Sequence, residues 1–379
     1  MPPFVQAAIM SIRSYQIISR LRAKFGLKRP VKSISSIEYS KRFSAKWHQV
    51  YESSPANHPP IERYGSLIVD LENMVDSHFP EMGVLEIPNA SIYGKHGWIY
   101  SKEGHLLADH SWFRGHVEDM QNLPSELPSG QRLSGVGLSL ASDFSVSSYG
   151  HFVIDCLGRL DLFFKAGFTF NDVDHIFCPF PTPGNAKVLF DALGIPKEKH
   201  VPTDFDETHH IENLIAPTFP GLRRNYPKWV PEFFQKTFLS SCSKPSRRLY
   251  ISRSGYQRNI QNESETLEVL LQFGFEIYNP ENHPNSHLDF SESNIVVGVS
   301  GSGLTGLAFC QPRTKVLELV PTDHVFPYYL TLSCSADLDY HYLPCQSTNA
   351  IRKQASGPGN SNVIIDTMDL RRALQQLIE

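Results

Sequence analysis

In "SYGHFVIDCLGRL", residues 148–160, His151, Asp155 and Arg159 stand at i, i+4 and i+8, a spacing that lines polar side chains along one helical face. Phe152, Val153, Ile154, Leu157 and Leu160 fill the remainder, so the helix is buried and its polar residues need a partner or a task. An imidazole titrates near neutral pH, and a carboxylate one turn away fixes its tautomer. That suits His151 as a base taking a proton from an attacking hydroxyl, with Asp155 as its orienter and Arg159 in support. The competing reading is a histidine at the helix start that caps a satisfied polar core.

A second cluster combines cations with glycines. "NIVVGVSGSGLTGLAF", residues 294–309, places a glycine-rich turn between an apolar strand pattern and a helical one. Backbone N–H groups at such a helix start bind phosphate, and Gly301 and Gly303 let a ligand come close to the backbone. Ser300, Ser302 and Thr305 add hydroxyls, and the peptide of Leu304 belongs to the same turn. Arg253 ends the strand "RRLYIS" and Arg258 follows it, so both are expected at the same sheet edge, forking onto a diphosphate. Packing glycines and surface arginines are the alternatives. Glu318 interrupts the apolar strand "KVLELVP"; it is read as a ribose ligand or as a carboxylate paired with a base such as Lys315.

The elements that carry these groups alternate. Strand-like "SGVGLSLAS", helical "GHFVIDCLGRLDLFFKAG", strand-like "DHIFCPF" and helical "NAKVLFDALG" succeed one another, and alternation of this kind implies a parallel sheet. Ahead of them, residues 84–112 read as a small β-meander punctuated by Asn89, Gly94, Gly97 and Gly104. Residues 216–232 contain four prolines and make a hinge before a second alternating series. The expected division is therefore a basic amphipathic segment and linker over 1–62, a first lobe over 63–232, a second over 233–345, and a polar linker with a returning helix over 346–379.

With 379 residues, 41% hydrophobic and 20% charged, the chain is globular and long enough for two lobes. A formal charge of -4 gives no general affinity for nucleic acid, so any anion site is local. The six cysteines show no C-x-x-C spacing and are read as reduced cytosolic thiols. Asp172/Asp174, Asp204/Asp206 and Asp337/Asp339 have the D-x-D form that holds a divalent metal elsewhere, but none follows a long apolar strand, and no metal or other cofactor is expected. Residues 4–29 carry an apolar helical face and six basic residues, fitting contact with the inner face of a membrane or packing on the body.

Three blocks, "SYGHFVIDCLGRL", "RRLYISRSGYQRNIQNESE" and "NIVVGVSGSGLTGLAFCQPRTKVLELVP", together resemble the family 61 glycosyltransferases over roughly residues 84–345. Phe152, Ser302 and Gly306 depart from the tryptophan after the histidine and the G-A-G-L-T-N run common in that family. The resemblance implies an α/β protein of GT-B type, with two Rossmann-like lobes facing a central cleft. It also implies a nucleotide-sugar donor, usually UDP-linked, a glycan or glycolipid acceptor, and inversion at the anomeric carbon. A sugar-nucleotide hydrolase or epimerase on the same scaffold, or a nucleotide-binding protein without catalysis, is the rival reading. With no spanning segment expected, the resemblance points to a cytoplasmic protein.

Overall fold

A computed structural model describes residues 32–56, 58–75, 78–111, 127–181, 184–203, 205–221, 225–239, 244–348 and 361–379. The expected amphipathic segment 4–29 lies outside them, as do Asp204, Cys242 and most of the polar stretch after Cys345. Among the described residues no helix is long and apolar enough to cross a membrane.

The chain is mixed α/β. Its first sheet has nine strands, of which β1 (Lys32–Ile34), β2 (Lys46–Tyr51), β3 (Met82–Tyr93), β4 (Trp98–Tyr100) and β5 (His105–Leu107) come first, followed by β6 (Gln131–Ser139), β7 (His175–Cys178), β8 (His200–Pro202) and β9 (Thr208–Pro217). The order is β1-β5-β4-β3-β9-β6-β7-β8, with β2 also on β3. Strands β3 to β5 form the antiparallel meander, and β9, β6, β7 and β8 run parallel. The segment placed ahead of the first lobe thus supplies two strands to its sheet.

The second sheet is built from β10 (Arg247–Ile251), β11 (Glu276–Tyr278), β12 (Ser293–Val299), β13 (Lys315–Pro321), β14 (Asp339–Ser347) and β15 (Val363–Ile364). The order β11-β10-β12-β13-β14 is parallel throughout, and β15 closes the edge antiparallel. Glu62–Arg63 also pairs with β14, so the chain visits this sheet before returning to the first. Strand β12 is buried on both faces, as its near-continuous apolar run requires. Strand order reverses between β10 and β12, and at such a switch point the loops after neighbouring strands diverge and leave a crevice.

Three helices flank the space between the sheets: α1 (Arg159–Lys165), α2 (Trp229–Phe238) and α3 (Tyr328–Ser335). One apolar cluster runs from Leu138 and Ile154 beside the first sheet through Phe234 of α2 to Leu249, Val296 and Phe309 beside the second. Phe234 meets Phe309 edge-on at 5.5 Å. Helix α2 begins within the proline-rich stretch 216–232 and buries part of this apolar surface.

Candidate active site

At the first-lobe side, the expected long α-helix begins instead as a π-helix, His151–Leu157, before α1 takes over. Gly158 donates its N–H to Val153 O at 3.1 Å, five residues back. A Cβ at 158 would lie 2.2 Å from Ile154 O, so the glycine permits this wider turn. His151 Nδ1 is 2.5 Å from Asp155 Oδ2, which leaves Nε2 as the ring nitrogen available to a substrate. Asp155 is fully buried, and its other oxygen accepts from Tyr226 at 2.8 Å. Burial pushes the Tyr226 phenol well above its ordinary value, so it stays a donor.

Arg159 does not continue the line toward the cleft. It is wholly buried, donates Nη2 to His110 O at 2.6 Å and lies over the Phe219 ring. Burial lowers its pKa, and Asp155 and Asp143 are among the charges that offset this. Arg159 supports the pair from behind.

At the second-lobe side, the loops after β10 and β12 flank the switch point. Arg253 donates Nε and Nη2 to Gln257 O at 3.0 and 2.7 Å. Its guanidinium packs against Gly301, where a Cβ would fall 1.7 Å from Nη1. Gly301 therefore makes room for an arginine. Desolvation, then the neighbouring Arg258, brings the Arg253 pKa down to about 10. Arg258, at φ 61, donates Nε to Ser300 O at 3.0 Å.

The expected helix after the glycines is a 3-10 helix, Ser302–Phe309. Leu304 is fully buried and its N–H is spent on Gly301 O at 2.9 Å, so the peptide N–H groups of Ser302 and Gly303 precede the first helical bond. A Cβ at Gly303 would meet Ile251 at 2.8 Å, which makes this a packing glycine as well as a cleft residue.

Glu318 is fully buried, and its oxygens accept from Ser300 Oγ and Tyr340 Oη, each at 2.5 Å. Lys315 turns away to Leu377 O. Burial raises the Glu318 carboxyl to about 7, against the pull of both hydroxyls. A direct ribose contact would require these bonds to open.

Between the two sides lies a cavity of about 270 Å³ that His151 and Tyr226 share with Arg258, Gly301, Ser302 and Thr305. Gly150 is the close approach here: a Cβ would sit 2.9 Å from Thr305 Oγ1. An adjoining space of about 390 Å³ holds Arg253 and Gly303 and shares Ser148 and Ser302 with the first. Base candidate and glycine turn thus face one continuous cleft. Asp155, Arg159, Ser300, Leu304 and Glu318 stand behind it.

Residues 149–317 match the family model for Glycosyltransferase 61. This part of the chain is similar to glycosyltransferase 61 domains. The matched span contains His151, Asp155, Arg253, Arg258 and the whole glycine turn, and stops one residue short of Glu318. No curated protein matches the chain.

The cleft also has members that the sequence reading passed over. Tyr226 lies inside the matched span, whereas His324, Phe326, Tyr328 and Tyr329 lie beyond it, on the loop after β13 and the start of α3. Tyr328 meets the His151 ring edge-on at 5.7 Å. The rule that placed Arg253, that ligands meet loops at the carboxyl edge of a parallel sheet, applies equally to the loop after β13.

Four of the D-x-D aspartates have other work. Asp172 caps a turn at Thr169, Asp174 accepts from Val136 N, Asp337 pairs with Lys228 and Asp339 with His341. Among the described residues no three His, Cys, Asp or Glu side chains converge as a metal site.

Proposed function

We propose that the chain is an inverting glycosyltransferase of GT-B arrangement, which moves a sugar from a UDP-linked donor to a glycan-type acceptor. The observation that carries this reading is the shared cavity: a carboxylate-oriented imidazole from one side faces a cationic, glycine-lined turn from the other. In this reading Arg253, Arg258 and the N–H groups of Ser302 and Gly303 take the diphosphate and stabilise its charge as the glycosidic bond breaks. Ser300 and Thr305 support that turn, with Glu318 holding Ser300 in place behind the ribose.

His151 Nε2 takes the proton from the acceptor hydroxyl as its oxygen attacks the anomeric carbon from the face opposite the diphosphate. Asp155 keeps Nδ1 protonated and offsets the charge that forms on the ring. Cation and backbone donors take the place of a metal on the leaving group, so turnover should persist in chelator. The glycan or glycolipid acceptor, the cytoplasmic placement and peripheral membrane contact through residues 4–29 belong to the same proposal.

The test is UDP release from a panel of UDP-sugars with and without oligosaccharide acceptors, followed by product analysis. Release that rises with acceptor and yields an inverted linkage is expected. Release indifferent to acceptor would instead establish a sugar-nucleotide hydrolase.

A further inference from the structure

From the structure we infer an acceptor-binding platform on the first lobe, a row of aromatic rings running outward from His151 that takes a neutral carbohydrate chain. The inference rests on the proposed function and adds the surface that the acceptor occupies. The Phe144 ring centroid is 5.3 Å from that of His151, His96 meets Phe144 edge-on at 6.0 Å, and His96 stacks on Trp98 at 4.9 Å with 15° between planes. Tyr93 lies next, at 6.3 Å from Trp98. Phe144 is 38% exposed and the other outer rings are half-buried, so each keeps a wet surface. Phe144 also lines the cavity that holds His151, which makes the row continuous with the cleft.

Two features show that the row is held in place. Asp143 is fully buried, yet it accepts from Trp98 Nε1 and from Ser111 Oγ, each at 2.8 Å. A buried carboxylate is costly unless its bonds are made, and here it fixes the edge of a half-buried indole. Phe144 itself sits at φ 64, a backbone region unfavourable for a bulky residue. Strain of that kind persists where surrounding structure imposes it, commonly at ligand sites. The turn carrying His96 can lie against this loop because Gly97, at φ 65, has no Cβ; one would fall 2.4 Å from the Ala141 Cβ.

The chemistry of the row fits a sugar chain, because exposed ring surface suits the apolar C–H faces of pyranoses. Burial lowers the His96 pKa against the pull of Asp143, leaving a neutral ring that does not attract anions.

The test is retention on an array of immobilised neutral oligosaccharides, with UDP affinity measured in parallel by calorimetry. Phe144→Gly removes the ring while relieving the backbone, and His96→Ala removes the next ring while keeping the hydrogen bonds of Asp143 to Trp98 and Ser111. Wild type should be retained by a subset of the array, and each variant should lose retention by about tenfold or more with UDP affinity unchanged. Wild type retained by no member, or variants retained as well as wild type, would overturn the platform. Loss of UDP binding in the wild type would count against the functional proposal instead, because glycan retention needs no donor.

Discussion

Strand β10 has an arginine at each end, and the two are treated in opposite ways. Arg247, at the amino end, forks onto Glu276 at 3.1 and 2.8 Å, reaches Asp289, and has Glu292 at 4.0 Å. The Glu276 hydrogen bonds lead the forces that raise its pKa. Arg253, just past the carboxyl end, meets one carbonyl, and among the described residues no carboxylate lies within ion-pair distance. Its pKa moves the other way, under burial and a second arginine. An arginine neutralised by its own protein serves the fold, whereas one packed beside another cation, with Glu281 acting on it only from beyond ion-pair distance, suits the anion of the proposed function.

The largest effect should come from the opposite wall of the cleft. His151→Ala removes the proposed base, so turnover per folded molecule should fall by roughly 10² to 10⁴-fold with UDP affinity nearly unchanged. Near-normal turnover would move the base elsewhere and leave the arginine comparison standing.

Glu318 supplies the next largest. Its carboxyl is raised from an ordinary 4.5 to about 7, so the folded chain keeps a proton that the unfolded chain releases. The stability carried by the protonated form is fully present below about 4.5 and is lost as pH rises through about 7. Glu318→Gln cannot ionise and should remove this dependence, on the order of 3 kcal/mol, visible in melting temperatures between about pH 5 and about pH 8. Parallel curves for variant and wild type would show that Glu318 keeps no proton in the fold.

The sequence disclosed those parts of the site that depend on local pattern. Arg253 and the glycines could be placed at one sheet edge because each follows an apolar strand, and the i, i+4 spacing of His151 and Asp155 was enough for their hydrogen bond. Features set by strand order were hidden: the switch point beside Arg253 exists because β11 and β12 lie on opposite sides of β10. The carboxylate of Glu318 stood out in its strand, but Tyr340 reaches it from β14, across a register that no local pattern encodes. The π-helix left no mark in apolar periodicity, since every residue from Phe152 to Leu157 is buried. Gly301 read as space for phosphate, whereas the structure fills that space with Arg253.

That last contact gives the most direct test of the central claim, that β10 has a structural arginine at one end and a ligand-binding one at the other. UDP affinity should be measured by calorimetry in EDTA for wild type, Arg253→Ala, Gly301→Ala and Arg247→Ala, beside each melting temperature. The account predicts metal-free binding that Arg253→Ala weakens by about tenfold or more, since a charge-assisted bond is worth roughly 1.5 to 3 kcal/mol, and that Gly301→Ala weakens similarly by displacing the guanidinium. Arg247→Ala should lower the melting temperature and leave affinity alone. Unchanged affinity in a folded Arg253→Ala, or binding that appears only when manganese is added, would contradict it.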